Sequence, residues 1–581
     1  MKSTRIGKRA QRWVLSLLLP AFALSGQPLR ANPAGGVVVH GSANFSGLGT
    51  SQLNITQGTQ NAIINWQSFS IAQGETTTFI QPNASSIALN RVIGADPSAI
   101  YGTLQANGGV ILVNPNGIVV GPGGRIDVAG LLNLSTLDID DQDFLDGGPS
   151  RFYGDSETGV TNFGTISSSG GDVVLLGGFV DNQGQIGAMN GTVALGSGGD
   201  ILLDQTNGAQ ITVRGASDYT GTGVNNSGAV TGAAVEMKAH GNVYALAINN
   251  TGMVRASGAT RSNGRVRLQA SGGSSNINLG NTSQVYARNG ADGGSVRVES
   301  VGGSVTNSGV VDASGGVDGG DISIVGNSVT TAGSSVVNAT GVDEGGMIQI
   351  DAETSTGVSG TVDASSRFGT GGRVEITGSE VELDGVTSVS VDGARQGGSL
   401  RIGGEFQGRD DFGVREADFT TIGGEVILTA DSRFGDAGSV VVWANEDTLY
   451  LGEASASAFG PDGNGGLIEI SGKERLAMRG NVAAHSVGGT SGTVLFDPGT
   501  LTVGNFGGNS TEFNEIEIAD VNKILQGGTS VLLMTSGVGS DIVFEDVDLP
   551  GMSAGGSQTV GGVKFCGSYT NGVIIRGTYG A

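Results

Sequence analysis

A single cysteine, Cys566, in a chain of 581 residues excludes an internal disulfide, so no covalent crosslink holds the fold together. Histidine is almost as scarce. His40, His240 and His485 lie far apart with no nucleophile beside them, and neither a catalytic triad nor a zinc site is suggested. Basic residues number 30 against 54 Asp and Glu, a balance that argues against nucleic acid, which wants a cationic footprint. So acidic a surface suits a soluble, exported protein. Prolines are limited to 11 and aromatics to 5%. Beyond residue 31 no apolar run approaches the roughly 20 residues of a membrane-spanning helix.

What is abundant is glycine, 106 residues with no three-residue period, which rules out a collagen helix. Valine, isoleucine and leucine are too frequent and too regularly placed for low-complexity disorder. Residues 1–31 stand apart: Lys2, Arg5, Lys8, Arg9 and Arg12 precede an apolar run from Trp13 to Leu24, with small and polar residues leading to Ala31. That order is a secretory signal peptide, cleaved after Ala31 or near Ser25. Removing its six basic residues takes the formal charge from -24 to -30.

A Gly-Gly doublet followed by alternating apolar residues then recurs. It starts at Gly293, Gly319, Gly345, Gly371 and Gly397, each 26 residues after the last. After a 40-residue step come Ala437-Gly438, then Gly465-Gly466 and Ser491-Gly492, with looser copies at Asn263-Gly264 and Gly170-Gly171. Second elements such as Val311-Asp312-Ala313-Ser314 and Val362-Asp363-Ala364-Ser365 precede several copies. A fixed period of this size marks a solenoid, and two-residue alternation makes its elements half-buried strands. Leucine-rich repeats share the period, but the Leu-x-x-Leu-x-Leu frame and the helical half are missing. The expected fold is all-β, a right-handed parallel β-helix of about 18–22 coils stacked about 4.8 Å apart. Val37–Phe45 and Leu53–Ile64 read as strands covering its first coil. Asp138–Phe144 reads as an acidic excursion. Near the other end Ile518, Val521, Ile524 and Leu525 share a helical face ended by Gly527-Gly528, and strands resume at Ser530–Met534 and Asp541–Phe544.

The stretch Leu89–Gly121 holds two β-branched runs, Ile100–Leu104 and Val110–Val113, divided by Asn-Gly-Gly and closed by Asn114-Pro115-Asn116-Gly117, residues that favour tight corners. With Asn65-Trp66-Gln67-Ser68-Phe69, Leu89-Asn90-Arg91-Val92, Asp96-Pro97-Ser98, Ile100-Tyr101-Gly102, Asn107-Gly108 and Ile118 in order, the segment resembles the N-terminal secretion domain of filamentous-haemagglutinin-type exoproteins, the cargo half of two-partner secretion systems. A second family motif, Asn-Pro-Asn-Leu, has only a distant echo in Gln81-Pro82-Asn83-Ala84. The resemblance implies a β-helical secretion domain at 32–165, β-helix repeats at 166–498 and a C-terminal segment at 499–581. It also implies recognition by a dedicated outer-membrane barrel with periplasmic domains, by strand addition to an open sheet edge. The residues implied to carry that recognition are Asn114, Pro115, Asn116, Gly117, Ile118, Asn90 and Arg91. Turn chemistry alone also accounts for the types at 114–117.

No catalytic, cofactor or metal site emerges. Asp312, Asp363 and Asp392 recur near the repeat period, but repeat-borne aspartates are turn formers and no basic residue recurs beside them. Asp318-Gly319-Gly320-Asp321 and Asp462-Gly463-Asn464-Gly465 do not keep the nonapeptide frame of calcium-binding repeats. Trp66 and Phe69 are expected in the core, Trp443 in a stacked strand, and Cys566 has no expected role. The reading is a non-enzymatic exoprotein, secreted or retained at the cell surface, an adhesin of surface glycans or proteins. The alternatives are a secreted carbohydrate-active enzyme on the same solenoid and the truncated stalk of a contact-dependent toxin. The end at Gly-Thr-Tyr-Gly-Ala, without a visible cap, reads as a truncated frame or a short family member.

Overall fold

The computed structural model describes residues 32–154, 157–258, 264–288, 290–409, 413–506 and 512–535, with the strands Ile542–Phe544, Ser557–Val560, Val563–Cys566 and Val573–Gly577. The leader at 1–31 and the Cys566 side chain lie outside the described residues. The body is a three-faced parallel β-helix. Its first face runs from Asn61–Trp66 through Ile87–Val92, Gly109–Val113, Leu132–Ser135 and Val173–Gly177. It continues through every Gly-Gly strand to Thr493–Phe496, Ser530–Thr535 and Val573–Gly577. Among the described residues eighteen rungs stack on this face, about 80 Å at about 4.8 Å per rung. The second face starts at Ser98–Ile100 and Ile118–Val120, the third at Gln52–Gln57 and Thr76–Ile80.

Alternation explains the interior. Val296 and Val298 lie under Ile322 and Ile324, then Ile348 and Ile350, Val374 and Ile376, Leu400 and Ile402, each pair buried and each strand in register with the next. One apolar core runs from Leu53 to Leu533. At the corners the second glycine of each doublet donates its N–H to the turn behind it, Gly320 to Ala313 O, Gly346 to Ala339 O and Gly372 to Ala364 O, each at 2.8 Å. A Cβ on the first glycine, Gly345 for instance, would collide with Ala364 O.

Three sequence expectations are redrawn. The run Ile100–Leu104 is two strands, Ser98–Ile100 and Thr103–Ala106, because Gly102 packs its backbone against the Ala72 and Glu75 carbonyls and turns the chain. Leu53–Ile64 belongs to the first rung itself, as Gln52–Gln57 and Asn61–Trp66. The cover is Val37–His40 and Ala43–Ser46, both paired antiparallel. The excursion holds a helix, Asp141–Asp146, within a four-stranded antiparallel sheet of Asp138–Ile139, Ser150–Tyr153, Asp200–Asp204 and Gln210–Gly215. This sheet buries a second apolar cluster against the outside of the first face, where Ile63, Leu89, Ile111, Val174 and Leu176 meet Phe144, Phe152, Ile201 and Ile211.

The C-terminal helix forms at Ile518–Gln526 with Ile518, Val521, Ile524 and Leu525 buried, and Gly528 takes φ +81 just past it. No helix among the described residues is long and apolar enough to cross a membrane.

Candidate functional site at the N-terminal corner

The segments singled out in the sequence meet at the corner that leaves the first face. Ala34 donates its N–H to Ser68 O at 2.9 Å, tying the covering strand to the corner of the first rung. Ile93 N–H reaches Trp66 O at 2.8 Å from the rung below, and Ser98 N–H reaches Gly117 O at 2.9 Å from the one after. Asn65–Phe69, Asp96–Ser98 and Asn114–Ile118 thus form one column down the rod, although they are scattered over more than fifty residues of sequence.

Asn114 organises this column from inside. It is fully buried and its amide donates to Asp96 O at 3.0 Å and Ser98 Oγ at 2.9 Å. Its Oδ1 accepts from the backbone N–H and the amide of Asn116, both at 3.0 Å, and Asn116 Nδ2 also donates to Gly94 O at 2.9 Å. Gly117 has φ +112, a conformation side chains resist, and Ile118 returns the chain to the core. Pro115 and Asn116 are the exposed members, with Thr158 Oγ1 donating to Pro115 O at 2.7 Å.

Asn90 is also buried. Its Oδ1 accepts from Trp66 Nε1 at 3.0 Å, and its amide donates to Ala88 O and Ile111 O. Trp66 packs edge-on against Phe69 at 5.7 Å between centroids, so both aromatics are core. Arg91 points the other way and clamps the excursion, with Nε to Asp138 and Nη1 to Asp141 at 2.9 Å and Nη2 to Ile139 O at 2.7 Å. Burial works against its charge, but the two carboxylates outweigh burial and hold its pKa above the ordinary value. Of the seven residues, then, Asn90, Asn114, Gly117 and Ile118 shape the corner from within, Arg91 braces it, and Pro115 and Asn116 present it.

Two features were missed in the sequence. The covering strand Val37–His40 pairs only with Asn61–Trp66 among the described residues, and Val37 and Val39 are 59% and 50% exposed beside its open edge. Further down, Asn162, Asn182, Asn226 and Asn250 form a buried ladder, each amide donating to the next Oδ1 at 2.7–2.8 Å, and Ser283 Oγ ends it at 2.6 Å. The signal was present as a repeated apolar-x-Asn-x-Gly, at Val160–Gly164, Val180–Gly184, Val224–Gly228 and Ile248–Gly252.

The molecule is a capped β-solenoid with polar corners stitched from within and, among the described residues, an open edge at its start. Residues 30–282 match the TPS secretion domain. A heme/hemopexin-binding protein of Haemophilus influenzae strain Rd is 34% identical over 263 residues, 44% of this chain and 28% of that protein. A second Haemophilus influenzae protein of the same name is 43% identical over 102 residues, 18% of this chain and 11% of that one. The alignments thus span under a third of either relative's length. Among solved structures, the HMW1 secretion domain from Haemophilus influenzae aligns with 78% of this chain and 98% of its own at 23% identity and TM-score 0.38. A filamentous hemagglutinin secretion domain aligns with 66% and 99% at 16% identity and TM-score 0.29.

Proposed function

We propose that this chain is a non-enzymatic adhesive exoprotein, and that the corner carrying Pro115 and Asn116, with the open edge of Val37–His40, is where its outer-membrane transporter takes hold. The observation that carries the reading is the convergence of the dispersed motif residues on one corner beside a strand edge that is unpaired among the described residues. An open edge offers main-chain hydrogen bonds to an added strand, and flanking side chains give such pairing its specificity. Folding outside the cell then draws the chain outward, because each rung buries apolar surface against one already formed. Action by binding rather than catalysis is supported by the recurrent aspartates. Asp312 and Asp363 accept the backbone N–H two residues on, at 2.8 and 2.9 Å, and Asp392 accepts from Asp431 N–H at 2.7 Å.

The test is export with the cognate transporter barrel, scoring protein in the medium against protein held in the periplasm. Pro115→Ala/Asn116→Ala is expected to lower release at least tenfold while leaving the melting temperature of the purified chain within about 2 °C. Asn114→Ala is expected to lower both. Wild-type release of the double variant would remove the corner from the contact, and release without the barrel would remove the export reading. A second reading, haem or haem-carrier capture, is favoured by the names of the two relatives. The same exported chain showing no Soret change on haem addition would dismiss haem itself.

A further inference from the structure

Far from the N-terminal corner, the turns leading from the third face back to the first are bonded to one another along the rod. Ser366 N–H donates to Asp392 O at 2.8 Å, and Gly393 to Asp431 O, Ser432 to Ser457 O and Ala458 to His485 O at 2.9 Å. Parallel bridges Gly393–Ser432, Ser432–Ala458 and Ala458–Ser486 fix the register, so these turns form a narrow, rigid fourth strip. Against the usual rule for solvent-facing turns, the strip displays large apolar side chains. Phe368, Phe434, Phe459 and Val487 are 52%, 61%, 52% and 65% exposed, in a chain with only 19 phenylalanines.

The arginines of the strip are uncommitted, whereas the two acids lining its cleft, Asp392 and Asp431, are committed; Asp462, in the Phe459 turn, is exposed. Arg367, Arg395 and Arg433 are exposed and make no ion pair among the described residues. The Arg367 guanidinium lies 4.9 Å from the Phe368 ring centre. Asp392 instead accepts from Asp431 N–H at 2.7 Å and Thr429 Oγ1 at 3.0 Å. Asp431 accepts from Ser455 Oγ at 2.5 Å and Ser457 N–H at 2.6 Å. Between the turns lies a shallow cleft of about 360 Å³, bordered by Ser365, Arg367, Asp392, Arg433 and Phe459. In a chain of net charge -24, a file of guanidinium groups free of ion pairs among the described residues and interleaved with phenyl rings sets this strip apart.

We propose that this strip, from Phe368 to Val487, is a binding ridge for an extended anionic polysaccharide. Phenyl faces suit the C–H faces of pyranose rings, and guanidinium groups pair bidentately with carboxylate or sulfate. Phe368 and Phe434 stand two rungs apart, about 10 Å at about 4.8 Å per rung, a span that two sugar rings of an extended chain cover. A protein partner fits less well. Interface hot spots work inside a surrounding ring that excludes water, whereas a single file on a convex corner has solvent on both flanks. A linear polymer lying along the rod needs only the file.

The proposal rests on the chain acting outside the cell, but its test involves no export and can fail independently. The purified chain is titrated with hyaluronan for carboxylate and dextran sulfate for sulfate, with neutral dextran and poly-glutamate as controls, at low and high salt. Saturable binding to at least one anionic polysaccharide is expected, well above both controls. Phe434→Ala/Phe459→Ala should weaken it at least tenfold. Arg367→Gln/Arg433→Gln should weaken it about tenfold and flatten its salt dependence. All four positions are exposed, so melting temperatures should hold, and Tyr244→Ala, at a side chain 78% exposed elsewhere, should bind as the parent does. Binding to neither anionic polysaccharide overturns the proposal, as do equal binding to poly-glutamate and parental affinity in both double variants.

Discussion

The secretion region and the Gly-Gly region are built on the same rungs but stabilised in different ways. Near the N-terminus, first-face strands are apolar on both sides. All five residues of Gly109–Val113 and of Val173–Gly177 are buried, because the core lies beneath and the antiparallel excursion covers much of the outside. Several polar groups inside this region are matched pair by pair, through Asn90, Asn114 and the asparagine ladder. From Gly293 to Asp351 the first-face strands alternate, with outer side chains toward solvent, and the polar work passes to glycine N–H groups at the corners. One region depends on specific side-chain partners and the other on the absence of side chains. The first tolerates irregular rung lengths, and the second requires a nearly constant period.

Breaking the ladder should show the greatest effect. Asn182→Leu removes both of its ladder bonds and leaves Asn162 Nδ2 and Asn226 Oδ1 facing a methyl group inside a fully buried stack. Each buried group left unsatisfied costs about 1–3 kcal/mol, so about 4 kcal/mol is expected, read from the denaturant midpoint. The ladder already ends where Leu279 lies beside Asn250, with Ser283 as terminal partner. A loss below about 1 kcal/mol would mean that the polar interior of the first region is not what stabilises it.

The matching change in the repeat is Gly345→Ala. Its Cβ meets a backbone carbonyl, Ala364 O, rather than a flexible side chain, so the corner must open. About 3 kcal/mol is expected, the upper end of the range for overpacked sites, with hydrogen-exchange protection lost in the rungs around Met347–Asp351 and Arg373–Thr377 first. An alanine accepted at no cost would show the doublets to be tolerated rather than required.

The repeat region was the more legible of the two, for a physical reason. Alternation and corner glycines are local, so Gly319-Gly320 and Ile322/Ile324 announce a turn and its strand within six residues. The helix at Ile518–Gln526 was legible through its four apolar positions in the same way. The excursion was not, because Ser150–Tyr153 pairs with Asp200–Asp204 across fifty residues of intervening rungs and nothing in either segment names the other. The candidate site was half legible. Its residue types were visible as turn formers and family motif, but which of them face inward is set by rung stacking. Asn114 and Asn116 look alike in sequence, and one is buried while the other is exposed. The asparagine ladder was hidden by the same ambiguity, since Asn-x-Gly reads first as a turn.

The comparison sharpens further at the 40-residue step of the repeat. The extra residues after Ile402 fold back over the outside of the first face, Gly404 and Gly408 lying against the Trp443 ring and Gln407 N–H donating to Glu469 Oε2 at 3.0 Å. Glu469, in register between the buried Val441 and Leu495, is fully buried. Desolvation raises its pKa from 4.5 to about 8, with nearby Asp497 adding to the rise and the bonds from Gln407 and Ser471 opposing it. Between those two pH values the folded chain holds a proton that the unfolded chain has released, so stability should fall as pH rises and level off above about 8. About 2 kcal/mol should be lost between pH 6 and pH 8, and Glu469→Gln, which keeps the acceptor for Gln407, should abolish that slope. A slope unchanged in the variant would place the titration elsewhere. A flat parent would mean that the covering loop lifts and hydrates the carboxylate, leaving the repeat as open on this face as its regular rungs are.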